Sequence, residues 1–155
     1  MLIRAATPAD APAMTAILNA IIAIGGTTAH EAPKTESAVT EDYISGPDVL
    51  AASIATDDGR VIGWQSVGWY DGNPEIGTFV QPGTQARGIG AQLFTQTCAT
   101  LHSAGITYII ATIRADNVPG LAYYARIGFR DIAHDPDYAL STGQKVGRIT
   151  RRIDL

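Results

Sequence analysis

The sequence predicts a single α/β domain built on one mixed sheet. Short apolar runs alternate with segments of helical period along the whole chain. The Asp57-Asp58-Gly59 turn joins two strands into a central hairpin, and a strand–helix–strand unit follows it. The length of 155 residues fits one domain, 1–155, better than two.

Leu2 to Ala6 reads as a strand. Thr7-Pro8-Ala9-Asp10 then reads as a helix start: Thr7 can cap, proline suits the first helical position, and Asp10 can reach back to the cap. Met14, Ile17, Leu18, Ile21 and Ile22 recur at helical spacing, and Gly25-Gly26 ends that helix. A polar loop from Thr27 to Glu36 precedes a short helix around Ser37 to Ser45, which Gly46-Pro47 stops. Val49 to Ala55, Arg60 to Trp69 and Glu75 to Val80 read as strands. After a loop from Gln81 to Arg87, Gly88 opens a helix with an inner face of Ile89, Leu93, Phe94, Thr97, Cys98 and Leu101. Ile106 to Ile113 is an apolar, β-branched strand. Asn117-Val118-Pro119 starts a helix that Gly128 closes, and Phe129 to Ala133 and Lys145 to Ile153 read as terminal strands. The order is β, α, α, β, β, β, α, β, α, β, β, with sheet core expected for Trp64 and Trp69.

Composition narrows the function. With 46% hydrophobic and 17% charged residues, the chain is no disordered acidic tail. The single cysteine, Cys98, excludes an intramolecular disulfide framework and a cysteine-based zinc cluster. His30, His102 and His134 are scattered, with His134 read as part of a polar loop, and no metal site is expected. A net charge of −4 argues against a generic nucleic-acid binder. Met1-Leu2-Ile3-Arg4 lacks a signal-peptide core, and the longest apolar run, Ala20 to Ile24, falls far short of the ~20 residues a bilayer requires. A soluble cytoplasmic protein is the expectation. The charge is unevenly placed: residues 1–80 sum to −7 and residues 81–155 to +3. Chance and a pair of oppositely charged ligands both account for such a split.

Gln85-Ala86-Arg87-Gly88-Ile89-Gly90-Ala91 lies between a strand and a helix. A helix amino terminus presents unpaired N–H groups and partial positive charge, glycines let the backbone approach an anion, and Arg87 adds a cation. The segment suits a phosphate or pyrophosphate; the alternative is a glycine-rich turn with no ligand. Gly83 and Gly88 have the spacing of GxxxxGK[ST], but Ile89 and Gly90 occupy the lysine and hydroxyl places. Leu93 breaks GxGxxG. In Asn117 to Phe129, Asn117 can cap its helix, and the adjacent Tyr123 and Tyr124 point about 100° apart, so one can pack while the other faces a site.

Together these segments resemble the GNAT superfamily of N-acetyltransferases. Gln85-x-x-Gly88-x-Gly90 is similar to its Q/R-x-x-G-x-G/A acetyl-CoA signature, and Asn117 through Phe129 to its N-x-x-[small]-x-x-Φ-Y-x-x-Φ-G-F segment. Glu75-x-x-x-Phe79-Val80-Gln81-Pro82 resembles the E-x-x-x-Y-V-x-P of the phosphinothricin acetyltransferase-like branch. Thr27-Thr28-Ala29-His30-Glu31 is similar to that branch's Thr-Phe-Glu loop, with His30 where Phe is usual. Branch members often carry His where this chain has Tyr124, a departure that bears on substrate rather than chemistry.

The resemblance implies a mostly antiparallel GNAT-like sheet of six to seven strands flanked by about four helices, and acetyl-CoA as co-substrate without a metal. It implies direct transfer to a primary amine of a small molecule, such as an amino acid or a phosphinothricin- or methionine sulfoximine-like compound. Amine transfer requires a base, an oxyanion donor and a proton for the leaving thiolate. Glu75 is the base candidate, through a water, and Tyr124 the acid. A backbone N–H of Phe79-Val80 would polarise the thioester. Gln85, Ala86, Arg87, Gly88, Ile89, Gly90, Ala91 and Asn117 would hold the cofactor, with its pantetheine in a gap between splayed strands. Thr28, His30 and Glu31 would wall the acceptor pocket. Alternatives are a non-catalytic acyl-CoA-binding module and a protein or peptide acetyltransferase. Neither a nucleic acid nor a membrane partner is expected. A homodimer is, with the last strand (Arg148, Arg151 and Arg152 alternating against Ile149 and Ile153) pairing or swapping at its interface.

Overall fold

In the computed structural model, which describes residues 1–84 and 88–155, β1 (Leu2–Ala5) leads through a 3-10 turn at Pro8–Asp10 into α1 (Ala11–Ile24). The expected capping arrangement forms: the Thr7 N–H donates to Asp10 Oδ2 at 2.8 Å, and the Arg4 guanidinium grips both Asp10 oxygens, each at 2.8 Å. That grip holds the Asp10 carboxyl below the usual carboxylate range. α2 (Glu36–Val39), capped by the Thr35 hydroxyl, runs on into a π-helical turn at Thr40–Ser45.

β2 (Val49–Asp57) and β3 (Arg60–Tyr70) form the predicted hairpin, with positive φ at Asp58 and Gly59. A second tight turn at Asp71-Gly72 joins β3 to β4 (Asn73–Val80). Then follow α3 (Ile89–Ser103), β5 (Tyr108–Arg114), α4 (Val118–Arg126), β6 (Arg130–Asp135) and β7 (Arg148–Asp154). The seven strands make one sheet in the order β1-β2-β3-β4-β5-β7-β6, antiparallel except where β4 meets β5. This is the expected architecture.

Period-2 alternation gives the sheet two buried faces. On one, Ile54, Trp64 and Phe79 pack against Met14, Ile17, Leu18 and Ile21 of α1 and Val39 of α2. The Trp64 indole N–H donates to the Met14 carbonyl at 3.0 Å, so its one polar atom is satisfied inside the core. On the other face, Val67, Ile76, Ile109, Ala111 and Ile113 pack against Leu101, Tyr124 and Phe129, while Ile62 meets Ile89 and Leu93 of α3.

Three expectations are corrected. Trp69 is 44% exposed rather than core, because it stands one residue from the end of β3. His134 belongs to β6, which continues to Asp135 rather than ending in a polar loop. β7 does not offer a free edge for a second chain, since β5 and β6 pair with it on either side. The outer strand is β6, whose edge carries Arg130, Asp131, His134 and Asp135 and a register irregularity between Asp131 and Ala133. Charges and bulges of this kind discourage edge-to-edge addition. Among the described residues, no helix is long and apolar enough to cross a membrane.

Candidate active site

β4 pairs with β3 along its whole length, but its register with β5 consists of the single pair Glu75↔Ile110. From Ile76 to Val80 it has no partner on β5. Backbone polar groups on such an edge need partners, and an extended ligand chain laid along it can supply them. Phe79 and Val80, the predicted backbone contacts, lie on this stretch.

Alternation along β4 sends its side chains to opposite faces. Phe79 packs with the α1 and α2 cluster, and Glu75 and Gly77 share its parity. Ile76 joins the α4 cluster and Val80 the α3 cluster, and Thr78 shares their parity. Tyr124 projects from α4 and brings its hydroxyl to 3.0 Å from Thr78 Oγ1. The Glu75 side chain and the Tyr124 hydroxyl therefore lie on opposite faces of β4. Burial raises the Glu75 carboxyl above its ordinary value, and Asp71 adds to the rise; the Thr112 hydroxyl and the Arg148 guanidinium oppose it. Burial also pushes the Tyr124 phenol well up, against its hydrogen bond with Thr78. Tyr124 thus holds its proton more tightly than a free phenol of pKa ~10.

A buried polar network that the sequence did not disclose supports Tyr124. The Gln65 side chain is fully buried. Its amide donates to Thr78 Oγ1 at 2.9 Å and to the Tyr123 hydroxyl at 3.1 Å, and its carbonyl accepts from Thr97 at 2.5 Å. The Tyr123 hydroxyl in turn donates to the Gly90 carbonyl at 2.8 Å. The only sequence signal for Gln65 is a polar residue between Trp64 and Ser66 in a strand; its partners come from β4, α3 and α4.

Gln85, Ala86 and Arg87 lie outside the described residues. Gly88 takes a left-handed conformation (φ 70°) just before α3, with no side-chain cap on the helix. The first N–H groups of α3 are therefore not claimed by a cap. The Ile89 side chain is completely buried, so only its backbone can face a ligand, whereas Ala91 is exposed. Gly90 has a second constraint: a Cβ there would lie 2.6 Å from the Tyr123 ring. Asn117 caps α4 by accepting from the Gly120 N–H at 3.0 Å, and its amide also donates to the Thr27 carbonyl at 3.1 Å.

That last bond belongs to a set that seats the predicted acceptor loop. Arg114 donates to the Thr28 carbonyl at 3.3 Å, and the Thr28 hydroxyl accepts from the His30 N–H at 3.2 Å. The Glu31 carboxylate accepts from the Ser141 N–H at 3.0 Å and its hydroxyl at 2.7 Å, joining this loop to the one between β6 and β7. Glu31 is thus engaged in a loop-to-loop clasp. His30 Nε2 lies 2.6 Å from the Tyr43 hydroxyl, and both rings pack against Phe79. Burial lowers the His30 pKa and raises that of Tyr43, so the bond joins two neutral groups, with the donor set by the imidazole tautomer. Cys98 is half-buried with its thiol pKa raised, as for an inert core thiol. An open apolar depression of about 520 Å³ between α1 and Gln81-Pro82 touches none of the predicted site residues.

The profile described as Acetyltransferase (GNAT) family matches residues 18–129. A mycothiol acetyltransferase of Clavibacter michiganensis is 35% identical over 102 residues, covering 63% of this chain and 33% of that protein. The counterpart from Saccharomonospora viridis is 28% identical over 92 residues, covering 53% and 30%. The chain thus spans about a third of the length of the curated relatives it matches. Its fold is shared by solved structures, of which two serve as examples. The phosphinothricin acetyltransferase of Sinorhizobium meliloti in complex with AcCoA has a TM-score of 0.85 at 20% identity, covering 99% of this chain and 88% of its own. The ribosomal-protein-alanine N-acetyltransferase of Brucella melitensis has a TM-score of 0.83 at 21% identity, with both chains fully covered.

Proposed function

Because the chain belongs to the GNAT acetyltransferase family, we propose that it moves an acetyl group from acetyl-CoA directly onto the primary amine of a small molecule. The observation that carries this reading is the placement of Glu75 and Tyr124 on opposite faces of β4, at the point where β4 parts from β5. Amine transfer requires a proton acceptor on the side where the amine arrives and a proton donor on the side where the thiol leaves.

The residues present fit acetyl-CoA. Gly88 and Gly90 leave the start of α3 open to phosphate, and the edge of β4 from Ile76 to Val80 is open to an extended chain. Acetyl-CoA supplies the acetyl thioester when bound. Glu75 takes the proton of the attacking amine, through a water. Phe79 and Val80 offer backbone N–H groups to the acyl oxygen. Thr78 accepts from Gln65 and shares a hydrogen bond with Tyr124 in which either hydroxyl can donate; with Thr78 as donor, the Tyr124 proton is free for the leaving thiolate. With its pKa raised by burial, Tyr124 acts as a hydrogen-bond donor that steadies the thiolate.

His30, Tyr43 and Phe79 form an aromatic wall on the Glu75 side. A compact acceptor fits such a wall, in keeping with the resemblance to the phosphinothricin acetyltransferase-like branch. The reading is tested by thiol release from acetyl-CoA across amino acids, phosphinothricin, methionine sulfoximine, polyamines, aminoglycosides and peptides. Turnover with a small amine is expected. Turnover confined to peptides moves the acceptor to proteins, and silence across the panel favours a binding module.

A further inference from the structure

The basic half of the chain places four arginines on β6 and β7 and one on β5, and among the described residues all but one are ion-paired. Arg114 pairs with Asp116 at 2.7 Å, Arg151 with Asp131 at 2.6 Å, and Arg130 and Arg152 with Asp154 at 3.5 and 2.8 Å. Arg148 has no carboxylate within 4.0 Å, although Asp135 is its register neighbour on β6. Asp135 instead accepts from the Asp137 N–H at 3.0 Å.

Arg148 is nevertheless held. Its guanidinium lies 4.9 Å over the centre of the Tyr138 ring. Tyr138 is tied beside it, because its carbonyl accepts the N–H groups of both Val146 and Gly147, at 2.9 and 3.0 Å. The loop carrying Tyr138 is the one clasped to the acceptor loop through Ser141 and Glu31. Arg148 is opposite Arg114, and Thr150 opposite Thr112; directly opposed residues share a sheet face. Thr112 and Arg148 both act on the Glu75 carboxylate, which places that face on the acceptor side. The charges facing Arg148 from neighbouring elements are therefore Glu75 on β4, Arg114 on β5 and Asp135 on β6. Arg148 is exposed, so a cation stacked on an aromatic ring with its fork of donors free of any carboxylate stands open to a ligand, and a guanidinium fork is well matched to a carboxylate.

We propose that Arg148 receives a carboxylate adjacent to the acceptor's amine, making the acceptor an α-amino acid or a close relative and Arg148 a specificity-determining residue. The inference rests on the small-molecule acetyltransferase reading above. Free L-amino acids and the matching amino acid amides separate the two. Removing the carboxylate charge lowers the pKa of the neighbouring amine, so without an anion site the amides would react at least as fast as the acids. Wild-type kcat/KM is expected to favour the acids at least tenfold. Arg148→Gln should bring that ratio close to one, mainly through KM of the acid, and Arg148→Lys should keep most of it. Equal use of acids and amides by the wild type, or an unchanged ratio in Arg148→Gln, overturns the assignment of Arg148 while leaving the transferase reading intact. Absence of thiol release with every acid and every amide overturns both.

Discussion

Tyr124 is set deeper than a helical tyrosine beside a site needs to be, with 8% of its surface exposed and its hydroxyl on Thr78. A phenol in that setting stays protonated across the physiological range, so the contribution of one hydroxyl can be measured by removing it. Tyr124→Phe is expected to lower kcat at least tenfold with little change in acetyl-CoA affinity, because the hydroxyl is remote from the phosphates. Steady-state kinetics with both substrates varied checks this, and unchanged turnover removes Tyr124 from the reaction. Glu75 raises a question of sign. Its raised pKa means that the protonated, inactive form persists to higher pH than for an ordinary carboxylate. The acid limb of the kcat/KM profile should therefore lie above the range of an ordinary glutamate. Thr112→Val removes an influence that favours the ionised form and should move that limb to still higher pH; movement to lower pH would contradict the assignment of Glu75 as base. The sequence pointed to both residues through their place in a motif. It did not point to Gln65 or Thr78, because a single polar residue in a strand looks the same whether it faces water or a buried partner; it placed Thr97 on the inner face of α3 without showing its partner, Gln65.

At the scale of elements, local chemistry carried most of the information. The Thr7–Asp10 cap, the Gly25-Gly26 stop and the Asp58-Gly59 turn are decided by residues within a few positions of one another, and each forms as expected. Elements whose environment is set from afar were less legible. Trp69 has the composition of a core strand, yet β3 carries it out to the hairpin end, and the last residues of β6 are strand because β7 lies alongside. Gly90 combines the two regimes. Its place in a glycine motif is local, but its lack of a side chain also admits the Tyr123 ring from α4. Alanine at this position would gain helix propensity of about 1 kcal/mol. It would also force the Tyr123 ring, held by two hydrogen bonds, out of place, and overpacking of this kind typically costs about 1–3 kcal/mol. Gly90→Ala is thus expected to be net destabilising by about 1 kcal/mol in urea titration. A gain in stability would mean that the ring moves aside freely.

At the scale of the whole molecule, the division of charge acquires a physical form. The acidic half supplies β1 to β4 with α1 and α2, and the basic half supplies α3 onward. Within the sheet the halves meet at the Glu75↔Ile110 pair, and their loops are fastened by Asn117 on Thr27, Arg114 on Thr28 and Ser141 on Glu31. Of the eight cations of the basic half, Arg114, Arg130, Lys145, Arg151 and Arg152 are ion-paired within that half to Asp116, Asp131, Asp137 and Asp154. A net charge is therefore a poor guide to a binding field, and the position of the unpaired Arg148 beside the acceptor face says more. By itself the sequence determined the fold class, the element order, the helix and turn boundaries and the two motifs, because periodicity, capping and turn chemistry act over short spans. Only the tertiary structure decided that β7 enters the sheet between β5 and β6, that the Glu75 side chain and Tyr124 lie on opposite faces of β4, and which arginine of β5, β6 and β7 has no carboxylate partner. Those outcomes depend on strand order and on contacts between residues distant in sequence, where no local rule applies.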